Sequence, residues 1–203
     1  MKLYLNKASP YARLVLVVAH EKSMSDQLEL VWTDPWASEE RLLEVNPFSK
    51  VPALALDASE NETLIESGCI CDYLDDMGGG RRLLPHLRAA RKSALMKYGR
   101  GRALIDSAFG AVIQRRFTPA GAAESALVER WLAAVARGVP ILEQGAADLS
   151  CHEPDIGDLA IAVGLSYVDF RLTEIKWRAT SPAVAKWLDE ISKRPSMLET
   201  APS

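Results

Sequence analysis

Cysteine is scarce in this chain, with three in 203 residues: Cys69, Cys71 and Cys151. They form neither an even set for disulfides nor a Cys-x-x-Cys pair, and Cys-x-Cys on a helix turns its two thiols apart, so they read as free thiols rather than a metal or redox site. Histidine is as sparse: His20, His86 and His152 lack metal-ligand spacing, and no glycine motif that cradles phosphate is present. Positive charge is not in excess, since 24 Lys and Arg face 27 Asp and Glu for a formal net charge of −3. Such a balance supplies no basic field for nucleic acid or an anionic membrane. No apolar run reaches membrane-spanning length, and the one within residues 1–7 is strand-length, too short for a signal-peptide core. A cytoplasmic location is the expectation. Internal repeats and a low-complexity tail are also missing. With 48% hydrophobic and 25% charged residues, the chain has the composition of a soluble globular protein with a packed core, in one large domain or two small ones.

The first part of the chain alternates strand and helix. Residues 2–6 predict a strand and 10–22 a helix, with Ser9 in the N-cap place and Pro10 at the first helical position. Alternating Leu28, Leu30 and Trp32 predict a strand over 27–33, and 38–45 a short helix capped by Ser38. Two short strands, 53–57 and 63–65, flank a polar turn at 57–62, and a helix over 68–77 follows. On periodicity alone this β-α-β-α-β-β-α order leaves several α/β folds open. Gly78-Gly79-Gly80 ends the helix, and Arg81-Arg82-Leu83-Leu84-Pro85 reads as a linker.

Beyond the linker everything reads as helix. A long one over 88–116 carries Gly99, Gly101 and Gly110, which either permit close approach of another helix or a ligand or are tolerated defects. The next, 124–144, places Leu127, Trp131, Val135 and Leu142 inward, and Pro140 kinks it or ends its regular part. Asp155 and Asp158 imitate a capping box before a helix over 156–172 that is apolar nearly all round, as a core helix should be.

Two stretches of the first part carry chemistry. In Asn46-Pro47-Phe48-Ser49-Lys50-Val51-Pro52-Ala53-Leu54, Pro52 falls at a loop-to-strand junction where an X-Pro bond can be held cis. That turns the N–H and C=O of Val51 outward to pair with a peptide, a strand addition one residue long. Glu66-Ser67 opens the helix at 68–77, where unpaired amides and a partial positive charge receive a ligand carboxylate, the serine adds its hydroxyl, and the glutamate can face an ammonium. Together they suit a small peptide bearing both an α-amino and an α-carboxyl group.

With Ser9-Pro10-Tyr11-Ala12-Arg13 upstream, the pattern Asn-Pro-x-x-Lys-Val-Pro-x-Leu followed by Glu-Ser resembles the glutathione-binding domain of cytosolic glutathione S-transferases. The Leu83-Leu84-Pro85 linker and the second half extend the likeness, to a bacterial, serine-type-like branch, over essentially the full length. The resemblance implies the fold of that superfamily: a thioredoxin-like α/β domain at 1–77, a linker at 78–87 and an all-helical C-terminal domain at 88–203. It further implies a glutathione transferase, with glutathione as co-substrate bound by Lys50, Val51, Pro52, Glu66 and Ser67, Ser9 as the catalytic residue, and no metal.

The chemistry asked of Ser9 is specific. A thiol of pKa near ~8.5 attacks poorly until ionised, and a hydroxyl at a helix start stabilises the thiolate through a hydrogen bond and the field of the helix end. Ser9 also reads as a plain N-cap, worth about 1 kcal/mol, and one oxygen can accept from the backbone while donating to sulfur. Lys50 is a partner for the glycine carboxylate of glutathione or a solvated surface lysine; Arg13 tunes the local potential or pairs with an acidic neighbour. Tyr4 lies inside a strand and is set aside, and no cysteine at the first helix start supports cysteine-type chemistry. From the family layout Tyr11, Trp36, Arg102 and Ile105 would line the place of a second substrate, a small hydrophobic electrophile. The resemblance also implies a homodimer and partners that include neither nucleic acid nor membrane. The alternative is a binding or adaptor protein that keeps the fold without catalysis.

Overall fold

The computed structural model describes residues 1–57 and 59–202. Ala58, inside the turn expected at 57–62, and Ser203, at the end of the expected helical domain, lie outside the described residues. The chain divides into two compact units, Met1–Leu84 joined by the end of the chain from Pro195, and Pro85–Arg194. The first holds β1 (Lys2–Leu5), α1 (Pro10–Glu21), β2 (Glu29–Trp32), α2 (Glu40–Val45), β3 (Ala53–Ala55), β4 (Thr63–Ile65) and α3 (Ser67–Met77). The second holds α4 (Arg88–Arg116), α5 (Ala126–Gln144), α6 (Ile156–Arg171), α7 (Trp177–Thr180) and α8 (Pro182–Ile191), and α9 (Pro195–Glu199) returns to the first.

The sheet order is β2-β1-β3-β4, with β1 parallel to β2 and β3 antiparallel to both β1 and β4. Side chains alternate across a strand, so Leu3 and Leu5, fully buried, point to one face of β1 while Tyr4 points to the other, where it packs with Leu42 and Val45 of α2 and with Ala53 and Ala55. α1 packs on α3, and Leu14, Val15, Val17, Val18, Ile70 and Leu74 are wholly buried. β2 is an edge strand. Its alternating Leu30 and Trp32, which announced the strand, are 40% and 44% exposed.

Two sequence expectations are corrected here. Ser38 does not cap α2: its φ of 50° is left-handed, the helix begins after Glu39, and the Glu39 carboxylate instead accepts from Thr33 Oγ1 and the Asp34 amide, both at 2.9 Å. In α5 the inward position is Val128, not Leu127, because Ser125 caps the helix and the buried stripe runs through Val128, Val135, Val139 and Leu142. Pro140 lies inside α5, which continues to Gln144.

α6 is the central helix of the second unit, with Leu159 through Val163 fully buried. Its start is a complete capping box: the Asp155 carboxylate accepts from the Gly157 and Asp158 amides at 2.9 and 3.1 Å, and Asp158 accepts from the Asp155 amide at 3.0 Å. Lys97 of α4 reaches both carboxylates at 2.8 Å. The open question about the glycines of α4 is answered differently at each position. A Cβ on Gly101 would meet the backbone of Ala160 and Ile161 at 2.7 Å, one on Gly110 the ring of Trp131 at 2.7 Å, and one on Gly99 nothing within 4 Å. Gly101→Ala is therefore expected to lower stability by roughly 2–3 kcal/mol, because two backbones must part. Gly99→Ala, which only removes helix-breaking propensity at an exposed site, is expected to raise it by about 0.5–1 kcal/mol. Urea melts of the two variants check the contrast.

Candidate functional site

The sheet register brings three loops to one end of the first unit. Ala53 sits opposite Tyr4 on one side and opposite Ile65 on the other. One step beyond this row, β1 continues toward Asn6 and Ser9, β3 is entered from Val51-Pro52, and β4 runs out into Glu66-Ser67. Antiparallel pairing of β3 with both neighbours is what makes the exits of β1 and β4 and the entrance of β3 coincide.

Ser9 caps α1 as its sequence position predicts. Its Oγ accepts from the Ala12 amide at 3.2 Å, and the residue is 8% exposed. Asn6 shapes the approach: its carbonyl accepts from the Ser9 amide at 3.1 Å, and its side chain bridges the Ala8 amide and the Thr33 carbonyl. Tyr4 packs on the face of the sheet that meets Leu42 and Val45 of α2. Its hydroxyl donates to Glu60, and burial with that carboxylate beside it pushes the phenol up to about 12.

The second loop is built on a residue to which the sequence reading gave no role of its own. Asn46, 2% exposed, donates from its side chain to the Lys50 carbonyl at 2.7 Å, accepts from the Phe48 amide at 3.1 Å, and accepts at its carbonyl from the Ser49 amide at 2.9 Å. An asparagine that closes its own following turn is the physical content of the Asn-Pro signature, and it is the signal that marks this residue. Ser49 adopts φ 50°, and its hydroxyl donates to the Pro35 carbonyl at 2.9 Å, tying two loops together. The Val51-Pro52 bond is cis, Pro52 is buried, and Lys50 is exposed. Among the described residues no hydrogen bond engages the backbone of Val51.

At the third loop Glu66 is the N-cap of α3 and holds φ 75°, a conformation that costs a non-glycine residue roughly 1–3 kcal/mol. Its carboxylate accepts from the Gly68 and Cys69 amides at 2.8 and 3.2 Å, and the Ser67 hydroxyl donates to it at 3.2 Å. The amides expected to await a ligand carboxylate are thus already engaged by a side chain of the protein. What the turn offers is an exposed, negatively charged Glu66 beside Ser67, itself 2% exposed.

The four residues expected to line a second-substrate place divide between the units. Tyr11 on α1 is half-buried and Trp36, whose amide donates to Asp34 at 3.0 Å, is 45% exposed; both belong to the first unit. On α4, Arg102 lies 3.7 Å from Asp106, whereas Ile105 is fully buried and faces Gly164 of α6, a helix-packing position. Among the described residues, no group of three or more His, Cys, Asp or Glu side chains gathers as metal ligands would, and no helix is long and apolar enough to cross a membrane.

Comparison with known proteins agrees with this fold. A glutathione transferase family member from Pseudomonas fluorescens Pf-5, solved with bound glutathione, is 33% identical, covers 100% of this chain over 98% of its own, and superposes with a TM-score of 0.91. A glutathione S-transferase from Methylobacillus flagellatus KT, also with glutathione bound, is 30% identical over 100% of this chain and 99% of its own, with a TM-score of 0.88. The uncharacterized GST-like protein YibF of Escherichia coli (strain K12) is 25% identical over 100% of this chain and 98% of its own length. Residues 8–77 match the glutathione S-transferase N-terminal domain and residues 125–190 the C-terminal domain, and the chain belongs to the glutathione S-transferase family.

Proposed function

We propose that this protein is a glutathione transferase that ionises the thiol of glutathione for attack on a small, hydrophobic electrophile. The observation that carries the reading is the single row of the sheet from which the loops of Ser9, Val51 and Glu66-Ser67 emerge together. In this reading the Val51 main chain pairs with the middle of the peptide, Pro52 shapes that turn, and Lys50 meets the glycine carboxylate. Glu66 faces the ammonium at the other end and the Ser67 hydroxyl turns from Glu66 to the carboxylate beside it, a division that suits a turn whose first amides Glu66 already occupies. The Ser9 hydroxyl donates to sulfur while its oxygen goes on accepting from Ala12.

The thiol proton passes to solvent, the sulfur lone pair forms a bond to the electrophilic carbon, and the leaving group departs with its bonding pair. Tyr11 and Trp36 are the aromatic groups that the first unit offers to that electrophile. The same proposal takes the chain as a cytoplasmic homodimer. Calorimetric titration with glutathione, followed by the ultraviolet difference spectrum of the bound thiolate, tests it. Binding with a thiolate signal is expected, and Ser67→Ala, which removes one hydrogen bond to a charged group, is expected to weaken affinity roughly tenfold. Absence of binding by the unaltered protein would turn the reading to a non-catalytic adaptor.

A further inference from the structure

Glu60 stands in the turn between β3 and β4, at the end of the sheet opposite the three loops, and adopts φ 59°. Left-handed backbone is costly for a residue with a Cβ and persists only where its surroundings hold it. Here the Glu60 carboxylate accepts from Lys2 Nζ at 2.6 Å and from the Tyr4 hydroxyl, both on β1, with β3 lying between β1 and β4. To reach the turn the phenol crosses β3, where the small side chains of Ala53 and Ala55, fully buried, leave room for it. Tyr4 is itself buried, so its hydroxyl needs an acceptor from the protein, and Glu60 supplies one. The hydrogen bonds from Lys2 and Tyr4 hold the Glu60 carboxyl below the usual carboxylate range, which keeps it ionised at neutral pH.

β4 needs such an anchor. It is three residues long and, among the described residues, has β3 as its one neighbour in the sheet. Glu60 precedes it and Glu66 follows it, both left-handed, so each end of a short edge strand carries strain that the other end must resist. Ile65, next to Glu66, and Val51 pack against the cluster that contains Tyr4, Ala53 and Ala55. We propose that Glu60 is a positioning residue for glutathione: by tying the β3-β4 turn to Lys2 and Tyr4 of β1, it keeps β4 in place and Glu66-Ser67 set to receive the ammonium and carboxylate of the peptide. The inference rests on the glutathione reading given above. Glu60 acts through Tyr4 and β4, so it sets affinity and leaves the ionisation of the thiol alone.

The test is calorimetric titration with S-methylglutathione, which has no thiol to ionise, of the full-length protein and of Glu60→Ala, Glu60→Gln, Tyr4→Phe and the variant combining Glu60→Ala with Tyr4→Phe. The pH midpoint of the bound glutathione thiolate, read in the ultraviolet, is measured alongside. Glu60→Ala is expected to weaken affinity about five- to tenfold, and Tyr4→Phe about threefold because Lys2 still holds the turn. The combined variant is expected to match Glu60→Ala within about twofold, since one hydrogen bond cannot be lost twice. Glu60→Gln keeps an acceptor for Tyr4 and is expected to recover most of the affinity, with the thiolate midpoint in place throughout. Unchanged affinity in folded Glu60→Ala overturns the inference and leaves the glutathione reading standing. Losses that add in the combined variant, or a shifted midpoint, also overturn it, the first by separating the two side chains and the second by moving the effect to sulfur. Failure of Glu60→Ala, Glu60→Gln and Tyr4→Phe alike to fold assigns the pair to the scaffold and overturns it too. No glutathione binding by the unaltered protein overturns the reading and the inference together.

Discussion

Replacement of Asp75 by alanine is expected to lower the stability of the protein by about 3–5 kcal/mol, the range for leaving one member of a buried ion pair without its partner. Asp75 is 1% exposed and so is Lys22, whose ammonium lies 3.1 Å from Oδ1. The same carboxylate accepts from the Leu83 and Leu84 amides at 2.8 and 2.9 Å, and Arg82 adds its charge at 3.4 Å without hydrogen-bond geometry. Removing it strands a buried ammonium that, among the described residues, keeps the Arg81 carbonyl at 3.0 Å, and takes the acceptor from the buried Leu83 and Leu84 amides. Asp75→Asn keeps an acceptor but not the charge, and should fall between the alanine variant and the unaltered protein. Chemical denaturation of the three proteins checks the order. An alanine variant within 1 kcal/mol of the original would mean that water reaches Lys22 and that the pair contributes little.

That network shows where sequence reading stops. Arg81 and Arg82 read only as part of a linker, and no periodicity marks Asp75 as the anchor of the segment after Gly80. An acidic residue on a helix looks the same whether it faces water or a buried lysine, because both partners lie far apart in sequence. The edge character of β2 was hidden for a related reason: Leu30 and Trp32 alternate as buried residues do, and only the strand order reveals that one side lacks a neighbour. α9 is a third case. Sequence adjacency placed residues 195–202 with the helical domain, yet Ser196 donates to Glu21 and Met197 accepts from Arg13, both on α1.

Local chemistry, by contrast, was legible. Ser9 before Pro10 gave the start of α1, Asp155 and Asp158 gave the capping box of α6, and the proline at 52 gave the junction into β3. In each case the signal is a steric or hydrogen-bonding demand met within four residues. The convergence of the three loops needed the register of β3 between β1 and β4. Sequence supplies that only through likeness to proteins already folded.

Ser9→Ala is expected to lower turnover with glutathione about a hundredfold at neutral pH while leaving affinity for S-methylglutathione nearly unchanged. The variant loses two things from one oxygen. The first is the cap on the Ala12 amide, worth about 1 kcal/mol of stability and measurable without any ligand. The second, in the proposed reading, is the donor to sulfur, and removing one preorganised donor to a catalytic anion slows enzymes by roughly 10²–10³. pH separates the two effects. Without the donor the thiol of bound glutathione ionises at higher pH, so the deficit is largest on the acid side and narrows as pH rises through the variant's own thiol midpoint. A loss due only to a frayed helix start would be the same at every pH. Ser9→Thr keeps both the cap and the hydroxyl and should recover most of the rate. Turnover equal to that of the unaltered protein in Ser9→Ala would remove the residue from catalysis and leave it as a cap. The source of thiolate stabilisation would then have to be the field of the α1 N-terminus acting without it.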